Sequence, residues 1–122
     1  MRGAPVLGAE QASFDKPDEV RTFEKGRVDI INVGGAEVGR LTFEPGWRWS
    51  EHVKPKAGTD WCMAPHFQYH VSGIHHILLA DGTEFDCHPG DVVALPTPHD
   101  GWVVGDEPVV LIDWWGIIGY GK

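Results

Sequence analysis

The sequence predicts an all-β domain, an antiparallel sandwich or barrel, on three observations. Sixteen Gly and nine Pro are scattered through the 122 residues as punctuation rather than clustered. Between them lie short runs rich in Val, Ile, Phe, Trp and Thr, the residues that suit a pleated, half-buried surface. No stretch sustains the 3.6-residue apolar period of an amphipathic helix.

Taken in order, residues 1–19 are polar and without alternation. They read as an N-terminal arm, either loose or laid across a sheet edge, with the folded domain over 20–118. Strands are expected at Arg27–Val33, Glu37–Phe43, Trp47–Val53, Ala64–Ser72, Ile74–Leu79, Thr83–Cys87, Asp91–Leu95, Gly101–Val104 and Val109–Trp115. Turn signals separate them: Gly34-Gly35, Pro45-Gly46, Asp81-Gly82, Pro89-Gly90 and Asp106-Glu107-Pro108. A chain of this length is one domain.

Composition narrows the function. Ten Lys and Arg stand against eighteen Asp and Glu, a formal charge of −8, so nucleic acid and anionic membrane surfaces are poor partners. No apolar run approaches the roughly 20 residues that span a bilayer. The first ten residues lack the basic and apolar regions of an export signal, and Cys62 and Cys87 are expected as reduced thiols in a cytoplasmic protein.

The chemistry concentrates in His66-Phe67-Gln68-Tyr69-His70-Val71-Ser72. Alternation puts Phe67, Tyr69 and Val71 on one face and His66, Gln68 and His70 on the other. That polar face meets either solvent or an interior site. Two imidazoles four residues apart on a strand are roughly 13 Å apart, so one ion needs ligands from other strands as well. His52 and His99 offer them, the latter in the rigid corner Pro96-Thr97-Pro98-His99-Asp100.

With these residues in view, the chain resembles the cupins. Pro45-Gly46 followed by His52, then His66 and Tyr69 to Gly73, are similar to the first cupin motif. Asp81-Gly82, Pro89-Gly90-Asp91, Pro96 and His99 are similar to the second. Trp49 to Pro55 and Pro98 to Val104 resemble segments of small bacterial single-domain cupins. The resemblance implies a cupin-type antiparallel β-barrel or jelly roll, often a homodimer, with a metal ion or small ligand in the barrel mouth.

The departures matter. The second His of the usual pair is lost, since the segment reads His52-Val53-Lys54, and His66 replaces the acidic ligand. Lys54–Met63 is an inserted loop. Counting back from His66 reaches Asp60 and Cys62, either of which offers a ligand in place of His52, although Cys62 reads first as a small core residue. The resemblance implies metal ligation by His52, His66 and His99, with His70 as a fourth ligand or a general base of near-neutral pKa beside Gln68. Iron, manganese, nickel and zinc all suit such a set. Trp49, Trp61, Cys62, Tyr69, His76 and Trp102 are the candidate pocket, while Trp114 or Trp115 is expected in the core and His88 in an exposed turn. Of the adjacent pair His75 and His76, only one can face inward, and His76 shares the parity of Leu78.

The function this implies is metal-dependent catalysis on a small organic substrate, foremost of the oxygenase or dioxygenase type. Two alternatives stand beside it. One is a Lewis-acid or metal-free isomerase, cyclase or lyase using a barrel His as base. The other is a non-catalytic small-molecule-binding cupin.

Overall fold

A computed structural model of the chain describes residues 8–114. Nine strands form two sheets. β1 (Glu19–Phe23), β2 (Gly26–Val33), β3 (Ala36–Phe43), β4 (His66–Ser72), β7 (Val92–Leu95) and β9 (Val109–Asp113) make a six-stranded sheet in the order β1-β2-β3-β9-β4-β7. β5 (Ile74–Leu79), β6 (Glu84–Cys87) and β8 (His99–Val104) make a three-stranded sheet in the order β6-β5-β8. Pairing is antiparallel throughout. Neither sheet closes on itself among the described residues, so the expected barrel is an open two-sheet jelly roll.

The two sheets face each other, and the space between them has a hydrocarbon end. Val28 and Ile30 of β2, Leu41 and Phe43 of β3, and Val109 and Leu111 of β9 are all fully buried there. Each such side chain contributes about 1.5–3 kcal/mol by leaving water. Phe43 stacks on Trp47 with ring centroids 3.8 Å apart. A smaller cluster gathers Ile77 of β5, Cys87 of β6 and Leu95 of β7. Cys87 is thus a core residue, and burial pushes its thiol up to about 12.

Eight of the nine expected strands form, with ends shifted by a residue or two. The ninth, Trp47–Val53, does not. After a brief bridge of Arg48 to Trp102 the chain coils into α1 (Trp49–His52) and α2 (Lys54–Ala57). Its tertiary anchor is Asp100, whose carboxylate accepts the Ser50 N–H at 3.1 Å and the Arg48 Nε–H at 3.3 Å. Trp47 and Trp49 are both buried as strand parity suggests, but through a helical turn.

β1 has no counterpart among the expected strands. Its inward positions are Arg21 and Phe23, and a buried Arg hides the alternation. Before β1, Arg40 reaches back to the Phe14 carbonyl and lies over its ring at 5.4 Å, holding residues 14–18 against β2 and β3. At the other end β9 stops at Asp113, and Trp114 is exposed beside Phe67 rather than in the core. Trp115 lies outside the described residues.

Candidate metal centre

β4 is built inside out. Its polar residues His66, Gln68 and His70 are buried, while Phe67, Tyr69 and Val71 are exposed. Register enforces this, because β4 is pinned on both edges, with Tyr69 opposite Val92 of β7 and Ile112 of β9. Its end is fixed at Gly73, at φ +76°, where a Cβ would collide with the Pro108 carbonyl oxygen. Only glycine fits there, and the next residue starts β5.

Three side chains from different parts of the chain converge at the inner end of β4. Cys62 N–H donates to the His99 carbonyl at 2.7 Å, and His99 N–H donates to the Cys62 carbonyl at 3.2 Å. This two-bond clip ties the end of the inserted loop to the first residue of β8. It brings the Cys62 thiol within 3.7 Å of His66 Nε2. Cys62, His66 and His99 each offer a ligand atom, all within 4.8 Å of one another, and all three residues are buried.

The far nitrogens of both rings are already committed. His66 Nδ1–H donates to the buried Asp113 carboxylate in a short hydrogen bond. His99 Nδ1–H donates to the Pro96 carbonyl at 2.8 Å. Such outer partners fix the tautomer and leave Nε2 as a lone-pair donor, the arrangement metal-ligating histidines require. The chemistry of the set therefore fits a divalent ion.

Electrostatics agree. Burial alone raises a thiol, but the hydrogen bonds and charges of His66 and His99 outweigh it and lower Cys62 to about 6. Burial alone lowers an imidazole, yet the Asp113 carboxylate and the Cys62 sulfur raise His66 to about 9. Both shifts favour the thiolate form of Cys62 and the charged form of His66. His70 differs, since burial lowers it to about 4 despite the charges of Asp91 and Asp113. It is neutral at pH 7, not the near-neutral titrating group expected.

Next to the cluster runs a narrow internal cavity of about 20 Å³, bordered by Trp47, Trp49, His66, Gln68, His75 and His99 among others. That volume holds about one water molecule. Trp49 and Gln68 border this cavity. Trp61 is half-buried in the loop just before Cys62 and does not border the cavity.

Several expected site residues lie elsewhere. His52 is not in the cluster: its Nδ1 accepts the Arg48 N–H at 2.9 Å and its Nε2 lies 3.8 Å from Glu24, because the segment coils instead of extending towards β4. Cys62 stands where His52 was expected. Tyr69 faces outward by strand parity. His76 also faces outward, bonded to Asp86 at 2.6 Å and Glu84 at 2.7 Å, with its ring stacked on Trp102 at 4.4 Å. Trp102 is in turn covered by the Arg48 guanidinium at 4.2 Å, so this pair decorates the outer face of the short sheet. His88 sits in an exposed turn as expected.

Two residues at the site are absent from the set expected from sequence. Asp113 shares parity with the buried Val109 and Leu111, so alternation alone marks it as an inward carboxylate. His75, rather than His76, faces inward, and its pairing with core Cys87 across β5 and β6 is the signal.

Comparison with family models finds no match, and comparison with curated proteins finds none. Solved structures do match. A single-residue variant of oxalate decarboxylase from B. subtilis superposes with a TM-score of 0.58 at 24% identity, over 81% of this chain and 28% of that one. A cupin-2 domain protein from Rhodospirillum rubrum gives 0.60 at 13% identity, over 91% and 78%. A cupin-like protein from Thermotoga maritima gives 0.50 at 19% identity, over 72% and 65%. The chain spans about a quarter of the oxalate decarboxylase chains it matches. The likeness is one of fold, and the fold is that of the cupins.

Proposed function

We infer that this cupin-fold chain is a metal-dependent enzyme acting on a small organic substrate, with Cys62, His66 and His99 as the ligands. The observation that supports this most is the three-residue convergence with both imidazoles oriented from behind by Asp113 and Pro96. When bound, a divalent ion supplies Lewis acidity and open positions for water, O₂ or a substrate oxygen. A thiolate in the set favours zinc, iron or copper over manganese.

The residues themselves do the rest. Asp113 holds His66 in one tautomer and balances its charge. The Cys62–His99 backbone clip keeps the sulfur at its post. Gln68 and the neutral His70 give the interior polar surface without added charge. Oxygenase chemistry is the reaction class we favour, because the cavity beside the cluster suits a reactant of water's size and not an organic molecule whole. The organic substrate would then approach from outside, past the loop that carries Trp61 and Cys62. A homodimer, with the exposed stripe of Phe67, Tyr69, Val71 and Val92 covered by a second copy, is part of the same reading and is checked by sedimentation.

Elemental analysis of protein purified without chelator tests the metal. One equivalent of ion is expected, lost in Cys62→Ser and His66→Ala; full retention by both variants sinks the assignment. Nitric oxide titration of iron(II)-loaded protein, read by EPR, tests the oxygenase class, and no new signal would exclude it.

One observation favours a second reading. Cys62, His66 and Asp113 also form a nucleophile, base and orienting carboxylate in series. A metal-free thiol enzyme would react rapidly with iodoacetamide at Cys62 whatever metal is added. The metal reading expects zinc to protect that thiol.

A further inference from the structure

The interior holds a second polar feature besides the three ligands. Trp47 Nε1, Gln68 Oε1 and both ring nitrogens of His75 are buried with no hydrogen-bond partner among the described residues. All three side chains border the same cavity as His66 and His99. The ring nitrogens of His70 are also without a partner there, but His70 does not border the cavity. Buried polar groups are rarely left unpaired, and several unpaired around one hollow point to a bound molecule.

The inventory says what kind. An indole N–H only donates, an amide oxygen only accepts, and a neutral imidazole does one of each. A single molecule that both donates and accepts can serve Trp47 Nε1, Gln68 Oε1 and one nitrogen of His75, and the cavity of about 20 Å³ admits one of water's size. The walls are also shaped to hold His75 without using its nitrogens. Its ring lies 5.7 Å from Phe43, 5.9 Å from Trp47 and 5.8 Å from His70, centroid to centroid. Gly101 completes the fit, because a Cβ there would come within 2.6 Å of His75 Nε2.

We propose that Trp47, Gln68 and His75 form a compartment for one water-sized oxygen ligand, water or hydroxide, beside the ion held by Cys62, His66 and His99. This rests on the metal reading above and adds to it the residues that select the small ligand. They are positioning residues, and Gly101 is the residue that keeps room for His75.

Fluoride, isoelectronic with hydroxide, is the probe, titrated into cobalt(II)-loaded protein and followed by visible absorption. Cobalt affinity is measured first from the thiolate-to-cobalt band. His75→Phe keeps an aromatic ring and removes the nitrogens, and Trp47→Phe removes the indole N–H together with part of its ring. Each is expected to weaken fluoride at least about tenfold, the effect of one hydrogen bond to an anion. Cobalt affinity should stay at the wild-type level, and Trp102→Phe, on the outer face, should leave fluoride affinity unchanged. Gly101→Ala should weaken fluoride by crowding His75. Should one variant fail to fold, the others carry the test. Cobalt bound with equal fluoride affinity in all variants, or no fluoride binding by wild type, overturns the compartment and leaves the metal centre standing. Absence of the cobalt–thiolate band in wild type overturns both.

Discussion

β3 and β4 lie in the same sheet with only β9 between them, yet they bury opposite chemistry. β3 turns Leu41 and Phe43 inward, while β4 turns His66, Gln68 and His70 inward and leaves Phe67, Tyr69 and Val71 outside. The β3 end is held chiefly by apolar burial. The β4 end is held by register, by Gly73 and by hydrogen bonds, and it carries the site. One sandwich thus has an apolar half and a polar half that holds the buried Cys62, His66 and His99 cluster.

The division can be broken most forcefully at Asp113. There the polar half depends on a buried pair of Asp113 with His66, and Asp113→Ala removes the carboxylate behind that ring. The expected loss is about 3–5 kcal/mol in urea unfolding, with metal affinity falling roughly 10–100-fold. An unchanged midpoint would mean the pair is not formed. In the apolar half, Leu111→Ala should cost about 2–5 kcal/mol and leave metal content untouched. Loss of metal in that variant would show that the two halves are not separable.

His70 sharpens the contrast by pH. Its folded value, about 4, lies below the ordinary 6.5 of an unfolded imidazole. Between those values the unfolded chain binds a proton that the folded chain refuses, so stability falls as pH drops from about 6.5 to 4. The expected acid loss from this group is on the order of 3 kcal/mol. His70→Phe should remove that component and be neutral or stabilising at pH 7. An identical acid limb in the variant would assign the loss elsewhere.

The smallest effect belongs to the outer face. Partial burial works against the charged form of His76, but Asp86 and Glu84 outweigh it and raise the ring above its ordinary value. Its contribution is fully present below pH 6.5 and is lost as pH rises through the raised value. His76→Gln should therefore narrow the Tm difference between pH 5.5 and 9 by an amount worth about 0.2–1 kcal/mol, as for other surface pairs.

Most strand positions are legible in the sequence because alternation and turn residues are local. The place of His66 and His99 in the buried cluster is legible through their motif positions. His52 is misplaced by local pattern because the coil at Trp49–His52 is set by Asp100, about fifty residues away. His75 is exchanged for His76 because both neighbours on β5, Ile77 and Leu78, are apolar, so parity is ambiguous until pairing with Cys87 resolves it.

The sequence by itself determined the class of fold, the polarity of each face of β4 and the supply of ligand residues, since these depend on residue type and period alone. Which face of β4 turned inward, that Cys62 rather than His52 joined His66 and His99, and that Asp113 stood behind them were decided only in three dimensions. The physical reason is that a ligand set is made by segments distant in sequence, and its membership follows from strand pairing and from the backbone clip between Cys62 and His99.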